Sequence, residues 1–148
     1  MSKPRSQRLE VVLAVAERKR REAERFLADA RQRVGQGEQG IVQLQQYLSE
    51  YQQQFTHTGR QGVSIDALQS RQAFMQKISQ TMHQQEQALQ QARDQLQQVQ
   101  AYWQQAYARE KGIEKLVHKA REEELQQREH KLQQEIDERS QHLRPRYI

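Results

Sequence analysis

The chain has 148 residues, 34% of them hydrophobic and 29% charged, with 31 glutamines, six glycines, two prolines and a net charge of +5. That composition excludes a thick globular core and a loop-rich or disordered chain alike; it is the mixture that long solvated helices use. There is no cysteine, which excludes disulfides and thiolate metal sites and fits a reducing cytoplasm.

Met1 to Gln7 contains Pro4 and Arg5 and has no periodicity, so it reads as a frayed arm. From Leu9 the apolar residues recur in alternating steps of four and three. The series is Leu9, Leu13, Ala16, Arg20, Ala23, Leu27, Ala30, Val34, Gly37, Ile41, Leu44, Leu48, Tyr51 and Phe55, and 12 of these 14 positions are non-polar. This is a heptad seam, which predicts a supercoiled helix over about residues 7–57. Arg20 interrupts the seam with a charge, a feature that lowers stability but can fix register. Gly35, Gly37 and Gly40 fall inside the same helix, either for close helix approach or as a hinge. Val11–Ala16, the longest apolar run, is too short for a signal-peptide core or a membrane span. A soluble, cytoplasmic protein is therefore expected.

The stretch His57–Ser64 breaks the pattern and predicts a chain reversal at about residues 58–64. Gly59 and Gly62 are expected to supply positive φ, Ser64 to cap the following helix, and Asp66 to place a negative charge in its first turn.

A second helix is predicted over about residues 65–142. Its seam is Leu68, Arg71, Met75, Ile78, Met82, Gln85, Leu89, Ala92, Leu96, Val99, Trp103, Ala106, Glu110, Ile113, Val117 and Ala120, with 13 of 16 positions non-polar. Beyond Ala120 the frame changes, because Leu125, Leu132, Ile136 and Leu143 belong to a different phase. The expected fold is all-α: a two-helix antiparallel coiled-coil hairpin with a single-helix C-terminal extension, one elongated domain over residues 1–148. A reversal centred near Gln61 sets Leu9 opposite about residue 113 and leaves about the last eight turns unpartnered. The expected shape is a rod, with a paired part on the order of 70 Å and an extension of about 40 Å. Pairs such as Glu124–Arg128 and Glu135–Arg139 support that extension as a solvated helix.

Charge gathers at the chain ends. Residues 1–34 hold ten Lys/Arg against five Asp/Glu, residues 35–108 four against five, and residues 109–148 ten against nine. The run Arg18-Lys19-Arg20-Arg21 suits phosphates or an acidic socket on a protein partner, and reads equally as a solvated helix face. No aromatic stacking platform or groove-reading motif accompanies it, so specific nucleic-acid recognition is not expected. No catalytic constellation or phosphate loop is visible; neither an enzyme nor a cofactor is expected. Glu114, His118 and Glu122 share a helix face, but a solvated face is the better reading than a metal site. Phe74 falls beside the seam and forms, with Ile78, Thr81 and Gln85, a stripe down one side of the second helix. Its ring is either a docking point or packing over the seam.

Several stretches, in order, resemble one family: Gln46-Tyr-Leu-Ser-Glu-Tyr51 before the reversal, Gly62 within it, Phe74-Met-Gln-Lys-Ile78 after it, then Lys111-Gly-Ile-Glu-Lys-Leu-Val117 and Gln134-Glu-Ile-Asp-Glu-Arg139. The sequence is similar to the FliJ family, the soluble rod of the bacterial flagellar type III export apparatus, along almost its whole length. The resemblance implies a non-enzymatic antiparallel coiled coil that couples the hexameric export ATPase to the membrane export gate protein FlhA. It also implies contacts with export chaperones and a peripheral location at the cytoplasmic face of the membrane. By the same resemblance, Phe74, Ile78, Thr81 and Gln85 contact the gate, with Thr81 and Gln85 departing toward polar. Arg18, Lys19, Arg20, Arg21, Arg121, Arg128, Lys131 and Arg139 are the residues assigned to the ATPase ring. The alternatives are the equivalent stalk of a virulence-type secretion system, and a basic coiled-coil scaffold for nucleic acid or anionic membrane.

Overall fold

The computed structural model describes residues 3–143, which form two helices, α1 (Arg5–Gly59) and α2 (Ile65–Leu143), and no strand among the described residues. The helices pack against each other as an antiparallel hairpin. Two compact units contribute: one comprises Ala23–Trp103, and the other the residues up to Glu22 with those from Gln104 onward.

In the Ala23–Trp103 unit the chain reverses between the two helices. Amide N–H groups of Gln61 and Gly62 donate to the carbonyls of Thr58 and Gly59, so α1 ends on i→i+3 bonds. Of the two glycines expected to carry positive φ, only Gly62 does, at 93°. Gly59 keeps helical geometry because α1 runs through it. Ser64 caps α2 as expected: its Oγ accepts from the amide of Ala67 at 3.2 Å, and Asp66 lies in the first turn.

All 14 predicted seam positions of α1 are buried or half-buried, as are those of α2 apart from Leu68. The core of each unit is accordingly a line of side chains. In the Ala23–Trp103 unit it is built on Ala23, Leu27, Ala30, Ile78 and Leu89. In the other unit Ala16, Ile113 and Val117 form the cluster, with Leu9 and Leu13 packed against it. The alanines recur every seven residues and bury little area each; their contribution is to let the facing helix come close. Gly37 continues that line. A Cβ there would stand 3.2 Å from Leu89 Cδ1, so Leu89 occupies the space a side chain would need. Gly35 has nothing within 4 Å of such a Cβ, so packing does not explain it.

The reversal-based count is displaced. In the unit that contains both chain ends, Glu10 pairs with Arg121 and Ser6 bonds Glu124. Leu9 therefore lies about eight residues further along α2 than the expected position 113. The helices themselves end at Gly59 and begin at Ile65, which centres the reversal on Gly62 rather than Gln61.

The expected frayed arm is also corrected. Helix α1 begins at Arg5, and Ser6 is 6% exposed. The part of α2 without a facing helix is accordingly Leu125–Leu143, every residue of which is exposed.

Candidate functional site

Three surfaces hold the residues that the sequence singles out. The first surrounds Arg20, in the unit that holds the chain ends. Its Nε donates to Glu110 Oε2 at 2.6 Å and its Nη2 to Glu110 Oε1 at 3.3 Å, a two-pronged pair with side chains 22% and 6% exposed. Two charged seam positions, one on each helix, thus satisfy each other. Arg20 is a seam residue held by Glu110, whereas Arg18, Lys19 and Arg21 face solvent.

The second surface is the start of α1 against α2. The first turn of α1 contains no acidic residue, so its free N–H groups lack a local anion. Glu124 supplies one from α2. Its Oε1 accepts from the Ser6 amide at 3.0 Å and its Oε2 from the Ser6 hydroxyl at 2.7 Å. These two bonds hold the Glu124 carboxyl below its ordinary value. Arg121 pairs with Glu10 beside it, and Arg5 lies 3.9 Å from Glu123. Sequence reasoning missed this arrangement because an N-cap supplied by another helix leaves no local motif. The one available signal was Pro4, a residue suited to the entry of a helix.

From this point, among the described residues, α2 continues without a facing helix. Arg128, Lys131 and Arg139 are exposed on that continuation. Arg20 lies level with Glu110, so the basic run on α1 and Arg128 are separated by about 27 Å along α2. The residues assigned to the ATPase ring consequently form two separate groups, and Arg20 and Arg121 of them are engaged in ion pairs with α2 and α1 carboxylates.

The third surface lies in the Ala23–Trp103 unit. Phe74 is half-buried, with its ring centroid 4.4 Å from that of Tyr51 and 6.3 Å from that of Tyr47 in an edge-on arrangement. Its ring thus packs on two aromatic side chains of α1 while remaining half-exposed. Tyr47 is the exposed member of the cluster, at 53%. Nearby, the Arg71 guanidinium covers the Phe55 ring at 3.7 Å. Ile78 is buried, and the Thr81 hydroxyl donates to the Lys77 carbonyl at 2.9 Å. Gln85 is half-buried, its Oε1 shielded from solvent with no hydrogen-bond partner, and faces Gly40. Of the stripe, Phe74 and Gln85 face α1 and Ile78 is buried, whereas Thr81 bonds within its own helix. Beside it a cleft of about 440 Å³ opens between the helices, bordered by Arg33, Gly37, Gly40, Gln85 and Leu89.

The face with Glu114, His118 and Glu122 is not a cluster suited to a metal; among the described residues no group of three or more candidate ligands comes together. Lys111 takes the Glu114 carboxylate at 3.3 Å, which raises the lysine above its ordinary value, and His118 lies 3.0 Å from Glu122. No helix among the described residues is long and apolar enough to cross a membrane.

These surfaces sit on an antiparallel two-helix coiled-coil hairpin. The family described as flagellar FliJ protein matches residues 5–146, and the chain belongs to the FliJ family. It is thereby a structural component of the flagellar export apparatus. No curated protein and no solved structure matches it.

Proposed function

We propose that the hairpin couples the hexameric export ATPase to the membrane export gate protein FlhA in the cytoplasm and also handles export chaperones, without doing chemistry itself. The observation that carries this reading is the continuation of α2 past α1. Leu125–Leu143 is helical, exposed throughout, and dense in charge of both signs. An isolated helix of that length is marginal in water and gains by being received in a partner's socket. In this reading Arg128, Lys131 and Arg139 reach the ATPase ring, with Arg18, Lys19 and Arg21 as a second contact further along the hairpin. Arg20 and Arg121 act indirectly by holding the two helices in register. Gate binding centres on the aromatic cluster: Phe74 and Tyr47 make the contact, while Ile78, Thr81 and Gln85 support it.

The test is truncation after Gln127, which removes all but the first three residues of the lone helix and spares Glu124. The shortened chain should keep its helical circular dichroism and lose affinity for the purified ATPase. Equal ATPase binding by the truncated and full-length proteins would remove the lone helix from the ring contact.

A further inference from the structure

The lone part of α2 carries a second stripe that the hairpin does not use. Leu125, Leu132, Ile136 and Leu143 are 53%, 57%, 49% and 82% exposed. With Glu129 and Arg139 they follow steps of four and three and span only about 80° of the helix surface. This stripe is turned about 100° from the seam that faces α1. A helix lying on it is a new partner on a new face rather than a prolongation of the hairpin.

The order of the residues identifies the partner. If two copies of the segment are laid antiparallel about a two-fold axis at Gln134, Leu125 meets Leu143, Leu132 meets Ile136, and Glu129 meets Arg139. Each layer then recurs by symmetry, so every apolar residue of the stripe meets an apolar residue and each charge meets its opposite. Parallel pairing in register instead stacks Glu129 on Glu129 and Arg139 on Arg139, which like-charge repulsion disfavours. We propose that the exposed end of α2 pairs with the same segment of a second copy of this chain, antiparallel, as an isologous two-helix contact.

The flanks are compatible. Gln126 and Gln133 line one side without charge. On the other, Glu135 meets its own mate across the axis, a like-charge contact that weakens the pairing and that Arg139, one turn away on the same helix, offsets only in part. The overlap is about 27 Å, and the two α1 starts stand at its opposite ends, so they do not collide. Such a contact is short and contains two charged layers. It is a weak, concentration-dependent association that occupies the surface proposed above for the ATPase, so self-pairing and ring docking exclude each other. The inference stands without that reading, because self-pairing is measured on the purified chain alone.

Sedimentation equilibrium of the full-length protein at low salt tests it. The average mass should rise from that of the 17.7 kDa monomer toward twice that value between about 5 and 500 µM. Glu129→Arg and Arg139→Glu, each alone, should weaken association at least about tenfold, and the double variant should restore it. An equimolar mixture of the two single variants should associate even though neither does alone, which also shows that both remain folded. A monomeric mass throughout the concentration range would overturn the proposal. So would single charge reversals that leave a dimer unchanged, or a double variant that fails to recover.

Discussion

Arg20 and Glu110 occupy seam positions on facing helices and join through two hydrogen bonds, the shorter 2.6 Å, with Glu110 almost wholly out of solvent. A charge alone in a coiled-coil seam is costly, and two that meet are tolerated because each satisfies the other. Their value is specificity: sliding one helix by a heptad would leave both buried without a counter-charge.

It follows that Glu110→Leu alone and Arg20→Leu alone should each destabilise the hairpin by about 2–4 kcal/mol, because one charge remains in the seam. The double variant, with leucine at both positions, should be at least as stable as the natural chain. Urea unfolding followed by circular dichroism checks all three. Additive losses in the double variant would mean that the pair is not coupled.

Arg20 and Glu110 were each visible in the sequence as a charge within a seam, but not that they meet. Heptad phase locates which residues face inward on each helix, and it did so at every α1 position. It does not say how far one helix is advanced along the other, since shifts by whole heptads preserve the pattern. In the unit that holds the chain ends, that choice is fixed by pairs such as Arg20–Glu110 and Ser6–Glu124. The N-terminal arm was misread for a related reason, as its cap lies more than a hundred residues away. Phe74 was ambiguous because a flanking position faces solvent or seam depending on the neighbour opposite, and heptad phase does not reveal that Tyr51 lies beside it.

Acidification should release the start of α1. The Glu124 carboxyl sits below its ordinary value of 4.5 because it accepts two bonds from Ser6, so its contribution is present in full above that value. It is lost as pH falls through the depressed folded-state value. The Ser6 amide chemical shift, followed from about pH 7 to pH 3, should move only below the ordinary carboxylate range. In Glu124→Gln the transition should vanish. Truncation after Arg121 should undock this turn as well, unlike truncation after Gln127, and hydrogen exchange at the amides of residues 6–8 distinguishes the two.

The glycine cluster divides by position. Gly35→Ala should stabilise the Ala23–Trp103 unit by about 1 kcal/mol, since a methyl group there meets nothing and helix propensity improves. Gly37→Ala should gain less or lose outright, because its Cβ would press on Leu89 Cδ1 at 3.2 Å. Thermal unfolding of the two variants side by side gives the comparison. An equal gain at both sites would show that Leu89 gives way freely and that close approach at Gly37 has no steric role.

The aromatic cluster lets packing be separated from gate binding. Phe74 touches Tyr51 and Tyr47 and is half-buried, so Phe74→Ala should cost about 2 kcal/mol of stability whatever the protein binds. A loss of gate affinity in that variant alone is therefore ambiguous. Tyr47 is the discriminating position. It is 53% exposed and reaches Phe74 only edge-on at 6.3 Å, so Tyr47→Ala should lower stability by no more than about 0.5–1 kcal/mol. If FlhA docks on this cluster, the same change should weaken its binding at least about fivefold, as loss of an aromatic anchor commonly does. Isothermal titration with purified gate protein, paired with melting curves, reads both effects. Undiminished FlhA affinity in Tyr47→Ala, together with weakened affinity in Phe74→Ala only in proportion to its lost stability, would reduce the cluster to a structural clasp between the two helices.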